Sequence, residues 1–142
     1  MADYAVIIMT AAARHCGTAK LVEADDSRRV RVSAAQLAEE AGLPAPTVQK
    51  LVSSLTRAGL LRSTRGIGGG LKLARPAAAI TIADIVEAVE GPIALTACLE
   101  HGRNDCTLAD GCTVRPHWPA VNQALRGALA QVPLTQFVEA AR

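Results

Sequence analysis

The sequence has very few aromatic residues: Tyr4, Trp118 and Phe137 make up 2% of its 142 residues. This scarcity argues against a groove in which single-stranded bases or sugars stack on aromatic rings. The chain also lacks an apolar run of membrane length, since its longest such stretch, residues 4–13, is about half of the ~20 residues that a membrane helix needs. Asp3, and not a basic segment, precedes this stretch, so it does not resemble a secretory signal. These absences predict a cytoplasmic protein with no membrane partner.

Acidic residues are missing from the centre of the chain. The composition is 50% hydrophobic and 20% charged with a net charge of +2, which is typical of a folded chain. Between Glu40 and Asp84, however, every charged residue is basic. Such a segregated positive block is typical of a polyanion-binding surface, because each phosphate contact releases condensed counterions. The alternative is a solvated basic face. The block consists of Lys50, Arg57, Arg62, Arg65, Lys72 and Arg75.

Two short helices are predicted just before and within this block. Ser33 and Gln36 form a capping-box pattern that begins a helix over residues 34–41, and Gly42 ends it. Pro44 and Pro46 then suit the first turn of a second helix. Its apolar stripe is Val48, Leu51, Val52 and Leu55, and its polar face is Thr47, Gln49, Lys50, Ser53 and Ser54. The pattern indicates a helix-turn-helix whose second helix enters the major groove of double-stranded DNA.

A glycine-rich hairpin is predicted after the second helix. One strand begins near Arg62, the glycines of residues 66–70 form a flexible tip, and Leu71 and Leu73 alternate with Lys72 in the return strand. The glycine run does not match a phosphate loop of a nucleotide enzyme, because no Gly-Lys-Ser/Thr follows it. Helix-turn-helix and hairpin together predict a winged helix, mainly α with a small β-wing. The residues expected to contact DNA are Thr47, Gln49, Lys50 and Ser53 on the helix, and Arg57, Arg62, Arg65, Gly68 and Lys72 around the wing.

Further helices are predicted before and after the winged helix in the chain. Residues 4–13 predict a buried first helix that ends near Gly17, a short strand is expected at residues 30–32, and Thr81 caps a helix over residues 82–89. A long C-terminal helix is expected to pair with a second subunit, and packing against the first helix is the alternative. Its coiled-coil seam would be Trp118, Val121, Leu125, Ala128 and Val132. A two-fold homodimer would match a pseudo-palindromic operator. The expected divisions are residues 1–76 for DNA binding, 77–116 for a linker helix and a cysteine loop, and 117–142 for dimerisation.

Three cysteines predict a metal site in that loop. Cys98, Cys106 and Cys112 are separated by seven and five residues and lie among turn-forming glycines, asparagine and aspartates. Three soft thiolates suit iron–sulfur or zinc, and the lack of a Cys-x-x-Cys knuckle favours a cluster. Ordinary loop cysteines or a thiol–disulfide switch are the alternatives, and Cys16 is expected to be a small buried hydrophobic residue. The candidates for a fourth ligand are His117, His101, Asp3, Asp105, Asp110 or a small thiol.

Several segments together resemble one family. They are Asp3-Tyr-Ala-Val-Ile-Ile, Val32-Ser-Ala-Ala-Gln-Leu-Ala, Pro46-Thr-Val-Gln-Lys-Leu-Val, Gly66-Ile-Gly-Gly-Gly-Leu, and the three cysteines followed by Val114-Arg-Pro-His-Trp118. Across nearly the whole chain these residues resemble the iron–sulfur-sensing winged-helix repressors, which include the Isc-type, NsrR-type and Suf-type regulators. The residues after Cys112 are most similar to the Suf type. The chain begins later than is usual in this family, so a few basic residues are expected upstream.

The resemblance implies a homodimer that binds a [2Fe-2S] or [4Fe-4S] cluster through Cys98, Cys106 and Cys112, with DNA binding set by the ligation state of the cluster. Arg115 stands where the Isc type has a histidine ligand. Asp3 matches the aspartate that the nitric-oxide sensor uses, so it is preferred to His117 as fourth ligand. The implied function is a repressor of iron–sulfur assembly genes. Alternatives are a nitric oxide or oxidative-stress sensor, and a thiol-switch or metal-binding adaptor without DNA binding. No enzyme is expected, because no catalytic constellation occurs at a workable spacing.

Overall fold

The computed structural model describes residues 1–16, 31–99 and 102–140. Within these residues the chain is mainly helical with a small two-stranded antiparallel sheet, as the sequence predicted. None of the described helices has the length and apolarity needed to cross a bilayer. The elements are α1 (Ala2–Cys16), α2 (Ala34–Ala41), α3 (Ala45–Arg57), β1 (Leu61–Thr64), β2 (Gly70–Leu73), α4 (Ile82–Glu90), α5 (Trp118–Ala130) and α6 (Thr135–Ala140), with 3₁₀ turns at Ala77–Ala79, Ala109–Gly111 and Arg115–His117.

Local capping signals set the helix-turn-helix. The backbone N–H of Gln36 donates to Ser33 Oγ at 3.1 Å, and the Ser33 N–H donates to Gln36 Oε1 at 2.8 Å, which completes the capping box. Gly42 takes a left-handed φ of 63°, ends α2 and turns the chain into α3. Pro46 lies in the first turn of α3, where its missing N–H costs no hydrogen bond. The predicted helix-turn-helix is therefore confirmed.

Helix α1 lies at the centre of the core. Ala5, Ile8, Met9 and Ala12 are fully buried, and α1 contacts α2, α4, α6 and β2. Their burial confirms the predicted buried first helix, which runs to Cys16. The expected strand at residues 30–32 is only partly tested, because residue 30 lies outside the described residues. Val32 itself forms an isolated antiparallel bridge with Leu71.

The C-terminal part of the chain begins with α4, which packs against α1, α3 and α5. A second capping box, formed by Thr81 and Asp84, begins α4 as predicted. Helix α5 packs against α4, and none of its residues is fully buried. The predicted coiled-coil seam includes one residue too many, because α5 ends at Ala130 and Val132 lies in the following turn. The Val132 N–H donates to the Leu129 carbonyl there, and Pro133 prevents further helix.

Candidate nucleic-acid interface and cysteine loop

Helix α3 presents the polar face that the sequence predicted. Val48, Leu51 and Leu55 are buried, and this fixes the rotation of the helix about its axis. The opposite face is accordingly free to meet a partner. Gln49, Lys50, Ser53 and Arg57 are exposed on it, and Thr47 is half-buried.

The β-hairpin forms the wing beside α3. Its register pairs Arg62 with Lys72, and Leu61 with Leu73. Leu61 and Leu71 are buried and anchor the hairpin, whereas Arg62 is exposed and Lys72 is half-buried. Arg62 and Lys72 therefore place two cationic side chains opposite each other on the wing, as a surface that meets a polyanion requires.

The tip of the wing is a tight glycine turn. Gly66 and Gly68 have φ values of 98° and 75°, and a Cβ at Gly69 would lie 2.3 Å from the Thr64 carbonyl oxygen. The guanidinium Nη1 of Arg31 donates to the Gly68 carbonyl at 2.7 Å and ties the tip to the segment before α2. Arg31 was not predicted from the sequence, because no local pattern indicates a contact with a residue so distant in the chain. The turn leaves Arg65 exposed at the edge of the wing.

An open cleft of about 560 Å³ lies between the end of α3 and the wing. Arg62, Lys72 and Arg75 contribute its positive charge. Arg75 also forms an ion pair with Asp84, at 3.4 Å between Nη2 and Oδ2. The Thr56 hydroxyl is buried at this cleft and has no hydrogen-bond partner among the described residues. The cleft extends the cationic surface of the wing towards α3.

The cysteine loop, residues 91–117, connects α4 to α5, and its described part contains only 3₁₀ turns. Cys98 lies in a compact turn in which the Asn104 N–H donates to the Ala97 carbonyl at 2.7 Å. Gly102 closes this turn, since a Cβ there would lie 2.5 Å from the Thr96 carbonyl oxygen. The Cys98 Sγ lies 3.3 Å from the Thr96 hydroxyl. Cys98 therefore has a defined local setting.

The other two loop cysteines flank the turn Ala109–Gly111. The Ala109 N–H donates to the Cys106 carbonyl at 3.3 Å, and Cys112 follows the turn directly. Cys98, Cys106 and Cys112 are free thiols and are half-buried. Cys16 is also half-buried, at the end of α1, so it is less enclosed than predicted.

The candidate fourth ligands lie in different parts of the fold, and Asp110 is within the turn Ala109–Gly111 that Cys106 and Cys112 flank. Asp3 is in the first turn of α1, 3.1 Å from the Met1 amino nitrogen, and its hydrogen bond with that ammonium lowers the pKa of Asp3. His117 is exposed at the start of α5, and Asp105 pairs with Arg103 at 3.4 Å. His101 lies outside the described residues.

Across the part of the chain that the structure describes, no group of three or more His, Cys, Asp or Glu side chains is arranged to hold a metal ion. Three free thiols on one loop nevertheless have the donor chemistry that an iron–sulfur cluster needs. The donor set therefore fits an iron–sulfur cluster, although the described residues do not gather it into one site.

A polar junction fastens the beginning of the cysteine loop to α4 and α5. The Arg126 guanidinium binds the Glu87 carboxylate through two hydrogen bonds, of 2.8 and 3.0 Å. These bonds, followed by a bond from the Ile93 backbone, lower the pKa of Glu87 despite its partial burial. Asn122 donates from Nδ2 to the Ile93 carbonyl at 2.8 Å and accepts from the Leu95 N–H at 3.0 Å. The junction was not predicted from the sequence. Its one signal there is the i, i+4 spacing of Asn122 and Arg126, which places both side chains on one face of a helix.

Comparison with known proteins places these features in context. A sequence profile of the Rrf2 family, described as iron-dependent transcriptional regulator, matches residues 2–140. The HTH-type transcriptional regulator IscR of Photorhabdus laumondii is 31% identical over 130 residues, which cover 92% of this chain and 78% of that protein. Protein aau3 of Rhizobium meliloti is 44% identical over 80 residues, which cover 56% of this chain and 47% of that protein.

Solved structures have the same fold. CymR, described as the global cysteine regulator of B. subtilis, superposes with a TM-score of 0.67 at 28% identity, covering 97% of this chain and 92% of that one. T. potens IscR gives a TM-score of 0.64 at 26% identity, covering 99% and 85%. The winged-helix fold and the resemblance to Isc-type regulators are thereby confirmed.

Proposed function

Because the chain belongs to the Rrf2 family of iron-dependent transcriptional regulators, we propose that it is a DNA-binding repressor that senses iron–sulfur cluster status and controls cluster-assembly genes. The IscR relative and the CymR structure are named as regulators and not as enzymes, in agreement with the prediction that no enzyme is expected. Gene control assigns its action to the cytoplasm, where its cysteines are expected to stay as thiols.

The observation that carries the DNA-binding part is the continuous surface of α3 and the wing. Thr47, Gln49, Lys50 and Ser53 lie on the face of α3 that faces away from the core, where a recognition helix reads base edges in the major groove. The cationic wing supplies phosphate contacts, which position the protein without reading sequence. The residues assigned to those contacts are Arg57, Arg62, Arg65, Gly68 and Lys72.

Dimerisation is assigned to α5. Val121 is 47% exposed and Leu125 is 37% exposed, so this apolar stripe is not buried within one chain. A second copy would cover it and place two α3 helices on the half-sites of a pseudo-palindromic operator. This assigns residues 1–76 to DNA binding, 77–116 to the linker helix and sensing, and 117–142 to dimerisation.

The cluster is assigned to Cys98, Cys106 and Cys112, with Asp3 preferred to His117 as the fourth ligand. A bound [2Fe-2S] or [4Fe-4S] cluster supplies an iron centre whose ligation responds to oxidants. This chain's contribution is a set of half-buried thiols on a loop fastened to α4 and α5. A conformational change in that loop would therefore act on α5, which carries the apolar stripe, and on α4, which packs against it.

DNA binding can be measured by fluorescence anisotropy with a mixed-sequence duplex at several salt concentrations. Arg65→Ala should weaken binding to every sequence and reduce the salt slope by about 0.9, the value for one phosphate contact. Arg103→Ala is the matched control, because it removes the same charge from the cysteine loop. Gln49→Ala should relax the preference at one base position in a binding-site selection. Salt-independent or absent binding in the wild type would contradict the proposal and favour the adaptor.

The cluster can be tested by anaerobic purification with visible absorption and iron and sulfide analysis. The wild-type protein should be coloured, with matched iron and sulfide, and Cys106→Ala should lose both. Cys16→Ala is the matched control, because Cys16 lies on α1 outside the loop. Colourless wild-type protein after attempted reconstitution would contradict cluster sensing.

A thiol switch is the second candidate function. It is favoured by the separate settings of the three thiols, of which Cys98 contacts the Thr96 hydroxyl and the other two flank a turn. Oxidation of the reduced protein followed by mass spectrometry would show a disulfide between loop cysteines in that case. An iron–sulfur sensor would instead lose iron and sulfide first. A nitric oxide or oxidative-stress sensor differs only in the signal that releases the cluster.

A further inference from the structure

One side chain, Asn122, binds both a backbone carbonyl and a backbone N–H at the beginning of the cysteine loop. The Asn122 amide donates to the Ile93 carbonyl and accepts from the Leu95 N–H, at 2.8 and 3.0 Å. Arg126, one turn further along α5, binds the Glu87 carboxylate of α4. Ile93 and Leu95 are thus fixed to α5, which is itself bound to α4.

Asn122 and Arg126 lie one turn apart on α5, and this shared face meets α4 and the loop. The exposed stripe of Val121 and Leu125 lies on the neighbouring face of the same helix. The loop's anchor and the apolar stripe are therefore parts of one rigid helix. A shift at either one reaches the other without an intervening flexible segment.

Cys98 is the loop cysteine nearest to this anchor in the chain. Thr96, the residue after Leu95, contacts the Cys98 sulfur through its hydroxyl at 3.3 Å. The Thr96 carbonyl also packs against Gly102, which closes the turn around Cys98. The position of the Cys98 thiol consequently depends on the backbone that Asn122 holds.

We propose that Asn122 is a positioning residue for the cysteine loop: its amide fixes the backbone at Ile93 and Leu95 and so holds the Cys98 thiol in a set relation to α5. This inference deepens the proposed function and rests on it in one respect, namely that the loop is the sensing segment. In that setting Asn122 connects the state of Cys98 to the helix that carries the apolar stripe.

The test uses the full-length, reduced, cluster-free protein without DNA. Amide hydrogen exchange is measured at Leu95, and alkylation of each loop cysteine by iodoacetamide is followed by mass spectrometry. Asn122→Ala should raise both Leu95 exchange and Cys98 alkylation by about tenfold, the effect expected from losing one to two hydrogen bonds. Cys106 and Cys112 should change by less than about twofold, because their turn lies farther along the loop.

Two further variants separate positioning from general stability. Gln123→Ala changes an exposed residue of the same helix and should leave every rate unchanged. Asn122→Asp keeps the acceptor for the Leu95 N–H and loses the donor to the Ile93 carbonyl. It should therefore preserve Leu95 protection better than Asn122→Ala does, and it provides the comparison if the alanine variant does not fold.

An unchanged Cys98 rate in both folded variants would overturn the proposal, and so would an equal rise at all three thiols. These outcomes are independent of the proposed function. A protein that never bound a cluster or DNA would still show the Cys98-specific effect. A protein that bound both, with an unchanged Cys98 rate, would lose only the role of Asn122.

Discussion

The wing tip offers the sharpest prediction, through Gly69→Ala. A Cβ at Gly69 would lie 2.3 Å from the Thr64 carbonyl oxygen and 2.8 Å from the Gly66 carbonyl oxygen, both of which are backbone atoms. Ordinary contact begins at 3.4 Å, so the turn must open by about 1 Å, far more than a packed backbone accommodates without losing its geometry. Thr64 pairs with Gly70 at the end of the hairpin, so this opening would displace the neighbouring Arg65.

Gly68→Ala is the matched comparison. Gly68 is itself assigned a phosphate contact, but a glycine makes such a contact through its backbone, which alanine retains. Its Cβ would meet nothing within 4 Å, and its only cost is the left-handed φ of 75°, about 1 kcal/mol for a residue with a side chain. The two neighbouring variants thus separate steric displacement of the tip from backbone strain alone. Neither residue belongs to the hydrophobic core, so the thermal midpoint should move by only a few degrees.

The assay is anisotropy with a duplex at increasing salt. Gly69→Ala should lose one or two phosphate contacts, which reduces the salt slope by about 0.9 for each contact. At moderate salt its affinity should fall at least about tenfold, whereas Gly68→Ala should stay closer to the wild type. Wild-type affinity and slope in a folded Gly69→Ala protein would refute the reasoning and remove the wing from the DNA interface.

Three further predictions concern stability and assembly. Leu125→Asp should give a monomer in sedimentation experiments, because it places a charge in the exposed stripe of α5; an intact dimer would contradict the assignment of that stripe. Ser33→Ala should lower the free energy of unfolding by about 1 kcal/mol in urea titrations, since it removes the N-cap of α2. Arg126→Gln should lower the urea midpoint at neutral pH, and the difference from the wild type should close as the medium is acidified. The pKa of Glu87 is depressed from its ordinary value of 4.5 by Arg126, so its stabilisation is present above that value and is lost as the pH falls through the folded pKa; a difference in urea midpoint that persists in acid would show that the Glu87–Arg126 ion pair does not cause it.

The parts of the fold that sequence predicted correctly depend on local signals. Ser33, Gln36 and Gly42 define α2 because capping involves only neighbours in the chain. The same holds for Thr81 at the start of α4. The polar face of α3 was predictable because the buried stripe that opposes it repeats with the helical period.

The missed features depend on tertiary placement. Arg31 contacts Gly68 from the other end of the winged helix, and Asn122 reaches Ile93 and Leu95 from a different element. Such side-chain bonds to distant backbone have no periodicity or spacing in the sequence. The proposed metal site differs, because the sequence predicts its donors, and a ligand set is completed by the metal as well as by the chain. Cysteine spacing therefore indicates the donors but not their arrangement.

The cysteine loop is an insertion between two helices whose packing is secured independently by Glu87 and Arg126. The entropy of closing such a loop grows only with the logarithm of its length, so even doubling it costs about 0.6 kcal/mol. Insertions or deletions between Cys98 and Cys106 can thus accumulate with little effect on the winged helix. Under the proposed function, evolution could exchange the signal that this loop detects while it retains the same DNA-binding surface. The length of the loop would then be a poor guide to the operator and a better guide to the signal.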